Sequence, residues 1–237
     1  MSQPFEVVSM GRAGVDMYPL QVGVGLEQID RFGKYLGGSA ANVAVATSRL
    51  GRRTALISRT GSDPFGRFVR AELEQFGVDA SQVTRSANIV TPVTFCEIFP
   101  PDDFPLYFYP QAKAPAFEIA AENLDLAMIA QAQVFWSTAT GLAFEPSRSA
   151  HFAAWQARGR KAHTILDLDY RERFWSSPTA ARAEIQQAVS HVTVVIGNQQ
   201  ECEVATGESD PLAAGQALLA LGAEIAIVKL GPRGVLA

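Results

Sequence analysis

Phe5-Glu6-Val7-Val8-Ser9-Met10 is a short run rich in β-formers, and it breaks at once into the glycine turn Gly11-Arg12-Ala13-Gly14-Val15-Asp16. Similar apolar runs recur at Thr54 to Ser58, Val134 to Ser137, Thr164 to Leu168, Val192 to Ile196 and Ile225 to Leu230. Between most of them lie helical patterns: Ala40 to Leu50, Pro64 to Phe76, Ser147 to Arg158, Thr179 to Val189 and Pro211 to Leu221. Strands that are apolar without alternation are buried on both faces, and their alternation with helices implies right-handed βαβ units. The predicted fold is α/β: a doubly wound, mostly parallel sheet flanked by helices.

Two segments break that rhythm. Asp16 to Leu36 and Val90 to Tyr109 carry aromatic and β-branched residues punctuated by Pro and Gly, with no helical period, and read as short extended strands. They lie adjacent to the first two strand-to-helix connections, so a small sheet over one edge of the core is expected. Its natural role is a lid, built from insertions at about 12–36 and 88–112.

The 237 residues are 48% apolar, enough to bury one large core, so a single α/β domain over 1–237 is expected. A net charge of −4, with Arg49, Arg52, Arg53, Arg67 and Arg70 scattered, gives no track for a nucleic-acid backbone. Cys96 and Cys202 have no metal-ligand spacing and form no disulfide framework. No run approaches the ~20 apolar residues that span a bilayer. The expectation is a soluble cytoplasmic protein.

Several residues are candidates for chemistry. Asp16 follows the carboxyl end of the first strand, where open α/β sheets bind ligands, although an Asp after a glycine turn is more often a turn-former. In Lys34-Tyr-Leu-Gly-Gly-Ser-Ala-Ala-Asn42, Gly37 and Gly38 let a ligand approach the backbone, Ser39 is placed to cap a helix, and Asn42 turns an amide toward the same point. A polyol needs such paired donors and acceptors. Asn198-Gln-Gln-Glu201 has the spacing of a capping box, which needs no ligand; the functional alternative has Asn198 and Glu201 facing nucleotide phosphates, with Glu201 holding Mg²⁺ through water. Spacing alone leaves both open. Val228-Lys229-Leu230-Gly231-Pro232-Arg233-Gly234 is a strand entering a glycine turn, with another strand beginning at Val235. Asp63-Pro64 and Asp210-Pro211 read as structural helix starts. No Gly-rich stretch ending in Lys-Ser or Lys-Thr and no protein-kinase signature occurs, so kinase activity requires another architecture.

In order along the chain, Gly37-Gly38 with Asn42, Arg49-Leu50-Gly51, Gly61-Ser-Asp63 with Gly66, Asn198 with Glu201, and Gly231 with Gly234 resemble the ribokinase, or PfkB-type, carbohydrate kinases. Gly11-Arg-Ala-Gly-Val-Asp-Met-Tyr18, Phe32-Gly-Lys-Tyr-Leu-Gly-Gly-Ser39 and Phe104-Pro-Leu-Tyr-Phe-Tyr109 extend the likeness to the 5-dehydro-2-deoxygluconokinases of inositol breakdown. The resemblance implies ATP and Mg²⁺ as cofactors and a sugar acid as acceptor. It places Asp16, Gly37, Gly38 and Asn42 at the sugar, Phe108 and Tyr109 as aromatics closing over it, and Arg171 of Asp167-Leu-Asp-Tyr-Arg171 at the acid group. Asn198, Lys229, Gly231 and Gly234 fall at the nucleotide and Glu201 at the metal, and a homodimer through the lid is implied.

Two departures stand out. Pro110 occupies the position after the lid aromatics where related sugar-acid kinases carry an arginine, with Lys113 as the candidate substitute. The family's Gly-Ala-Gly-Asp signature is absent, so the resemblance places the catalytic Asp beyond Ala237 and leads us to expect this chain to be inactive alone. The sequence therefore points to phosphorylation of a sugar-acid hydroxyl, with 5-dehydro-2-deoxygluconate first. Fructose or 2-keto-3-deoxygluconate is the alternative acceptor, and a non-catalytic sugar-binding or assembly module the alternative of another class. All these readings require the polar residues near the amino end and the glycine turns near the carboxyl end to meet at one rim of the sheet.

Overall fold

The computed structural model describes residues 3–109 and 113–237, so Pro110 and the end of the second expected insertion lie outside the described residues. Strand β1 (Val7–Met10), its residues all buried, sits inside an eight-stranded sheet between β4 (Thr54–Gly61) and β8 (Val134–Thr138), parallel to both. Beyond β4 lies β5 (Val83–Ser86). On the other side, β9 (Thr164–Asp167), β10 (Val194–Asn198) and β11 (Ile225–Lys229) continue in parallel, and β12 (Val235–Leu236) closes the edge antiparallel to β11.

Strand alternation divides the core. Val8, Met10, Phe135 and Leu166 point to one face, where α3 (Leu126–Gln131), α4 (Ser147–Arg158) and α5 (Pro178–Val189) cover them with Ile129, Trp155 and Ile185. The same apolar cluster runs on to α6 (Gln199–Thr206) and α7 (Pro211–Ala220). Leu56 and Trp136 point the other way, onto Ala40, Ala44, Val69 and Leu73 of α1 (Ser39–Arg49) and α2 (Pro64–Gln75). The expected Asp-Pro starts are caps: Asp63 accepts from the Gly66 N–H and Asp210 from the Ala213 N–H, with Pro at the first helical position.

The two aperiodic segments form a second sheet, in the order β3 (Phe32–Gly37), β2 (Gly14–Pro19), β6 (Val93–Cys96), β7 (Leu106–Tyr109). Register places Asp16 beside Tyr35 and Thr94, and Thr94 beside Phe108. Three elements carry little signal in the sequence. Strand β5 has polar Thr84 and Arg85 exposed at its middle, α3 is too short for a period to register, and α6 is visible only as a cap.

Arg158, at the end of α4, is a buried cation that uses backbone rather than carboxylates. Nη1 donates to the carbonyls of Ile129 and Ala132 at 2.9 Å each, Nη2 to those of Gln133 and Ala162 at 3.3 and 3.1 Å, and Nε to the Thr164 hydroxyl at 2.8 Å. It thereby satisfies the end of α3 and the turn into β9 at one stroke. Arg158→Ala would strand these carbonyls, and we expect a loss of about 3 kcal/mol, read as a fall of roughly 5–10 °C in thermal unfolding. Arg158→Lys should recover only part, because an ammonium cannot reproduce the planar fork.

Candidate active site

Because β1, β8, β9, β10 and β11 run in the same direction, their carboxyl ends share one rim. Leaving β1 the chain goes toward β4, while leaving β8 it goes toward β9, and a crevice opens between such diverging connections. The second sheet stands over this point. The cleft between them, about 230 Å³, is lined by Arg12, Asp16, Asn42, Thr94, Phe108 and Arg171 among others. Asn198 and Lys229 sit on the same rim, opposite each other in the β10–β11 register.

Asp16 comes from β2, whose alternate residues Val15 and Met17 pack into the core with α1 and α2. Burial lifts its carboxyl above the usual aspartate range, while the Thr94 hydroxyl and the charge of Arg12 hold it back. The neighbouring glycines serve the protein's own packing. A Cβ on Gly37 would overlap the Asp16 carboxyl, and Gly38, at φ +100°, lies against the backbone of Arg12 and Ala13. Gly38 still lines the cleft, whereas the space beside Gly37 that the sequence reading assigns to a ligand is filled by Asp16.

Ser39 has the composition of a cap for α1. Gly38 holds the cap position without a side-chain bond, and the Ser39 hydroxyl instead donates to Asp169 Oδ2 at 2.9 Å. Asp169 is a buried carboxylate on a left-handed backbone, φ +31°. Thr140 Oγ1 donates to its carbonyl at 2.6 Å, with its Oδ2 at 3.2 Å, and Arg171 Nη2 pairs with Oδ1 at 2.7 Å. Arg171 Nη1 lies 3.9 Å from Glu201 Oε1, and Lys229 Nζ 3.9 Å from Asp167 Oδ2. Polar contacts thus run from the start of α1 to the ends of β9 and β10.

Phe108 faces the cleft but Tyr109 does not: adjacent strand residues point to opposite faces, and Tyr109 meets Phe95 edge-on at 5.7 Å on the far side. At α6 the capping box is complete. Asn198 Oδ1 accepts from the Glu201 N–H at 2.8 Å and Glu201 Oε2 from the Asn198 N–H at 2.7 Å. Only Glu201 Oε1 stays outside that box. Among the described residues no group of three or more His, Cys, Asp or Glu side chains is arranged to hold a metal directly. At Gly231 (φ +60°) and Gly234 (φ +92°) an added Cβ would meet nothing within 4 Å, so both turns are open on that side. Arg12, Thr94, Thr140 and Asp169 are site residues that the sequence reading does not single out; the available signals are the position of Arg12 just past β1 and the alternation that sets Thr94 beside Asp16.

The model of the pfkB family carbohydrate kinases matches residues 5–237. The 5-dehydro-2-deoxygluconokinase of Photobacterium profundum is 33% identical over 239 aligned positions, covering 98% of this chain and 72% of that protein. The enzyme of that name from Clostridium tetani is 30% identical, covering 98% and 70%. Among solved structures, a PfkB protein from Polaromonas sp. JS666 superposes with a TM-score of 0.87 at 25% identity, over 98% of this chain and 78% of that one. Fructokinase from Vibrio cholerae O395, in its fructose, ADP and calcium ion bound form, gives 0.81 at 27% identity, over 98% and 73%.

Burial pushes the Asp167 carboxyl up to about 6; Lys229 opposes the shift, and Asp169 and Glu201 reinforce it. A carboxyl whose folded pKa lies above its unfolded value destabilises the native state when ionised. That penalty is complete above about pH 6 and fades as pH falls toward the ordinary aspartate value of 3.8. His151, buried and held down to about 4, does the reverse: its contribution is lost as pH drops below 6.5. Asp167→Asn keeps an acceptor for the Asp169 N–H, 3.1 Å away. In chemical unfolding across pH 4–8, the variant should exceed wild type in stability above pH 6.5, converge with it near pH 4, and show a steeper acid-side decline.

Proposed function

The chain belongs to the pfkB family of carbohydrate kinases, and from that premise we propose that it serves ATP-dependent phosphorylation of a sugar-acid hydroxyl, with 5-dehydro-2-deoxygluconate as the acceptor. The observation that carries this reading is the polarity of the cleft: Asp16, Asn42 and Thr94 line it together with Arg12 and Arg171. Carboxylate and amide groups pair with sugar hydroxyls, and guanidinium with the acid. The names of the relatives from Photobacterium and Clostridium support the same acceptor.

In this proposal Phe108 and Leu106 of β7 exclude water over the sugar, and Asp16 and Asn42 orient its hydroxyls. Arg171, fixed by Asp169, spans the sugar cleft and α6, a position from which one guanidinium neutralises charge at both. When bound, ATP supplies the phosphoryl group and Mg²⁺ screens its charge. The open turns at Gly231 and Gly234, with Lys229 and Asn198 on the same rim, fit a nucleotide. Glu201, with one oxygen outside the capping box, fits a metal held through water. Asp169 does not serve as a base, because both of its oxygens are occupied. The second sheet and the segment leading into β7 leave Tyr35, Phe104 and Tyr109 about half exposed, and a homodimer through this sheet is proposed to cover them.

Assayed as the full-length protein, ADP release coupled to NADH oxidation should appear with 5-dehydro-2-deoxygluconate and not with fructose, and Asp16→Asn should lower kcat/KM roughly 100-fold without loss of thermal stability. Preference for fructose would make the protein a fructokinase. Binding of ATP and sugar acid without turnover would favour a non-catalytic module.

A further inference from the structure

Arg12 leaves β1 where its own backbone crosses Gly38, and its side chain enters the cleft between the second sheet and the turn after β9. Its guanidinium stands 5.9 Å from the Phe108 ring centre and 5.4 Å from that of Phe174. Arg173 approaches the same rings from the exposed side, at 4.1 and 4.5 Å. Phe174 is locked edge-on against Phe117 and Phe144, so the aromatic platform is fixed.

Arg12, half-buried, is left without the hydrogen-bond partners that a cation drawn out of water needs. Its Nε is sealed from solvent and has no hydrogen-bond acceptor among the described residues. Asp169 and Asp16 act on it through space, but Asp169 is already bound by Arg171 and Ser39, and Arg171 adds a like charge. Aromatic faces offset desolvation only in part. Three guanidinium groups, of Arg12, Arg171 and Arg173, therefore gather around a cleft whose carboxylates, Asp16 and Asp169, are committed to it in other ways. The chain as a whole carries a net charge of −4, so this excess of positive charge is local.

We propose that Arg12 is the principal receptor of the substrate carboxylate, with Arg171 beside it and Arg173 at the rim, so that Arg12 sets the preference for sugar acids over neutral sugars. This rests on the sugar-acid reading above and adds the residue that enforces it. Asp16 repels the acid group and accepts hydroxyls, while Arg12 attracts the acid group, and the two together orient the substrate in the cleft.

Isothermal titration of the protein with 5-dehydro-2-deoxygluconate and with fructose tests this in wild type, Arg12→Met, Arg12→Lys and Arg173→Ala. Loss of a charge-assisted pair predicts that Arg12→Met binds the acid about 10- to 100-fold more weakly, with fructose affinity falling by a clearly smaller factor. Arg12→Lys should keep part of the preference, and Arg173→Ala should reduce it by a smaller factor. Equal weakening of acid and fructose in a folded Arg12→Met protein, or undiminished acid binding, overturns the role of Arg12 while leaving the sugar-acid reading in place. A wild-type protein without preference for the acid overturns that reading as well. If Arg12→Met does not fold, the acid-to-fructose ratio in the other two variants decides, and an unchanged ratio in both overturns the proposal.

Discussion

The carboxylate of Asp169 ties together three connections that the sheet topology sends in different directions. Ser39 arrives from the crossover between β1 and β4, Thr140 from the turn after β8, and Arg171 from the turn after β9. A buried carboxylate is costly unless its oxygens are filled, and here hydroxyl and guanidinium donors fill them. The left-handed backbone at this non-glycine residue is the accompanying strain. Without that knot, the crevice at the divergence of β1 and β8 would have loops for walls but nothing to fix their spacing.

The same carboxylate determines how charge is distributed along the rim. By engaging Arg171 through Nη2 it leaves Nη1 directed toward Glu201, and by drawing in Ser39 it aligns the first turn of α1, where Asn42 sits. Asp169 also donates its N–H to Asp167, a carboxyl already raised by burial and facing Lys229. Polar groups at the start of α1 and after β8, β9 and β10 are thus neighbours in one network.

Much of this is legible in the sequence because buried parallel strands have a composition of their own. Val7-Val-Ser-Met10 is buried throughout, as its largely apolar composition implies, whereas Ile225-Ala-Ile-Val228 reads the same way yet alternates buried with more exposed residues; the Asp-Pro pairs mark helix starts by chemistry alone. What fails to show depends on tertiary proximity or on local competition. Ser39 has the composition of a cap, yet a carboxylate 130 positions away claims its hydroxyl. Phe108 and Tyr109 read as a pair, and the pleat separates them. In the sequence Arg12 is one polar residue in a glycine turn; its isolation is visible only once Phe108, Phe174 and Arg171 are seen around it. Asn198 and Glu201 keep two meanings in sequence, and the structure realises the capping one while leaving Oε1 outside the box.

The second sheet is not a uniform flap. Its inner half shares the core of the domain: Val15 is fully buried, and Met17, Leu36 and Val93 pack with Leu56, Val69 and Leu73. Asp16 lies between two of those anchored positions, and its carboxyl is further seated against Gly37, so it cannot shift without disturbing the main hydrophobic layer. The outer half, with Leu20, Val22, Phe104 and Tyr109 exposed, has no such anchor. The sheet therefore has an inner edge whose polar groups are anchored by the core and an outer edge whose apolar groups are exposed. Under the proposed function, recognition would reside in residues fixed by the fold, with Leu106 and Phe108 of β7 excluding water over them.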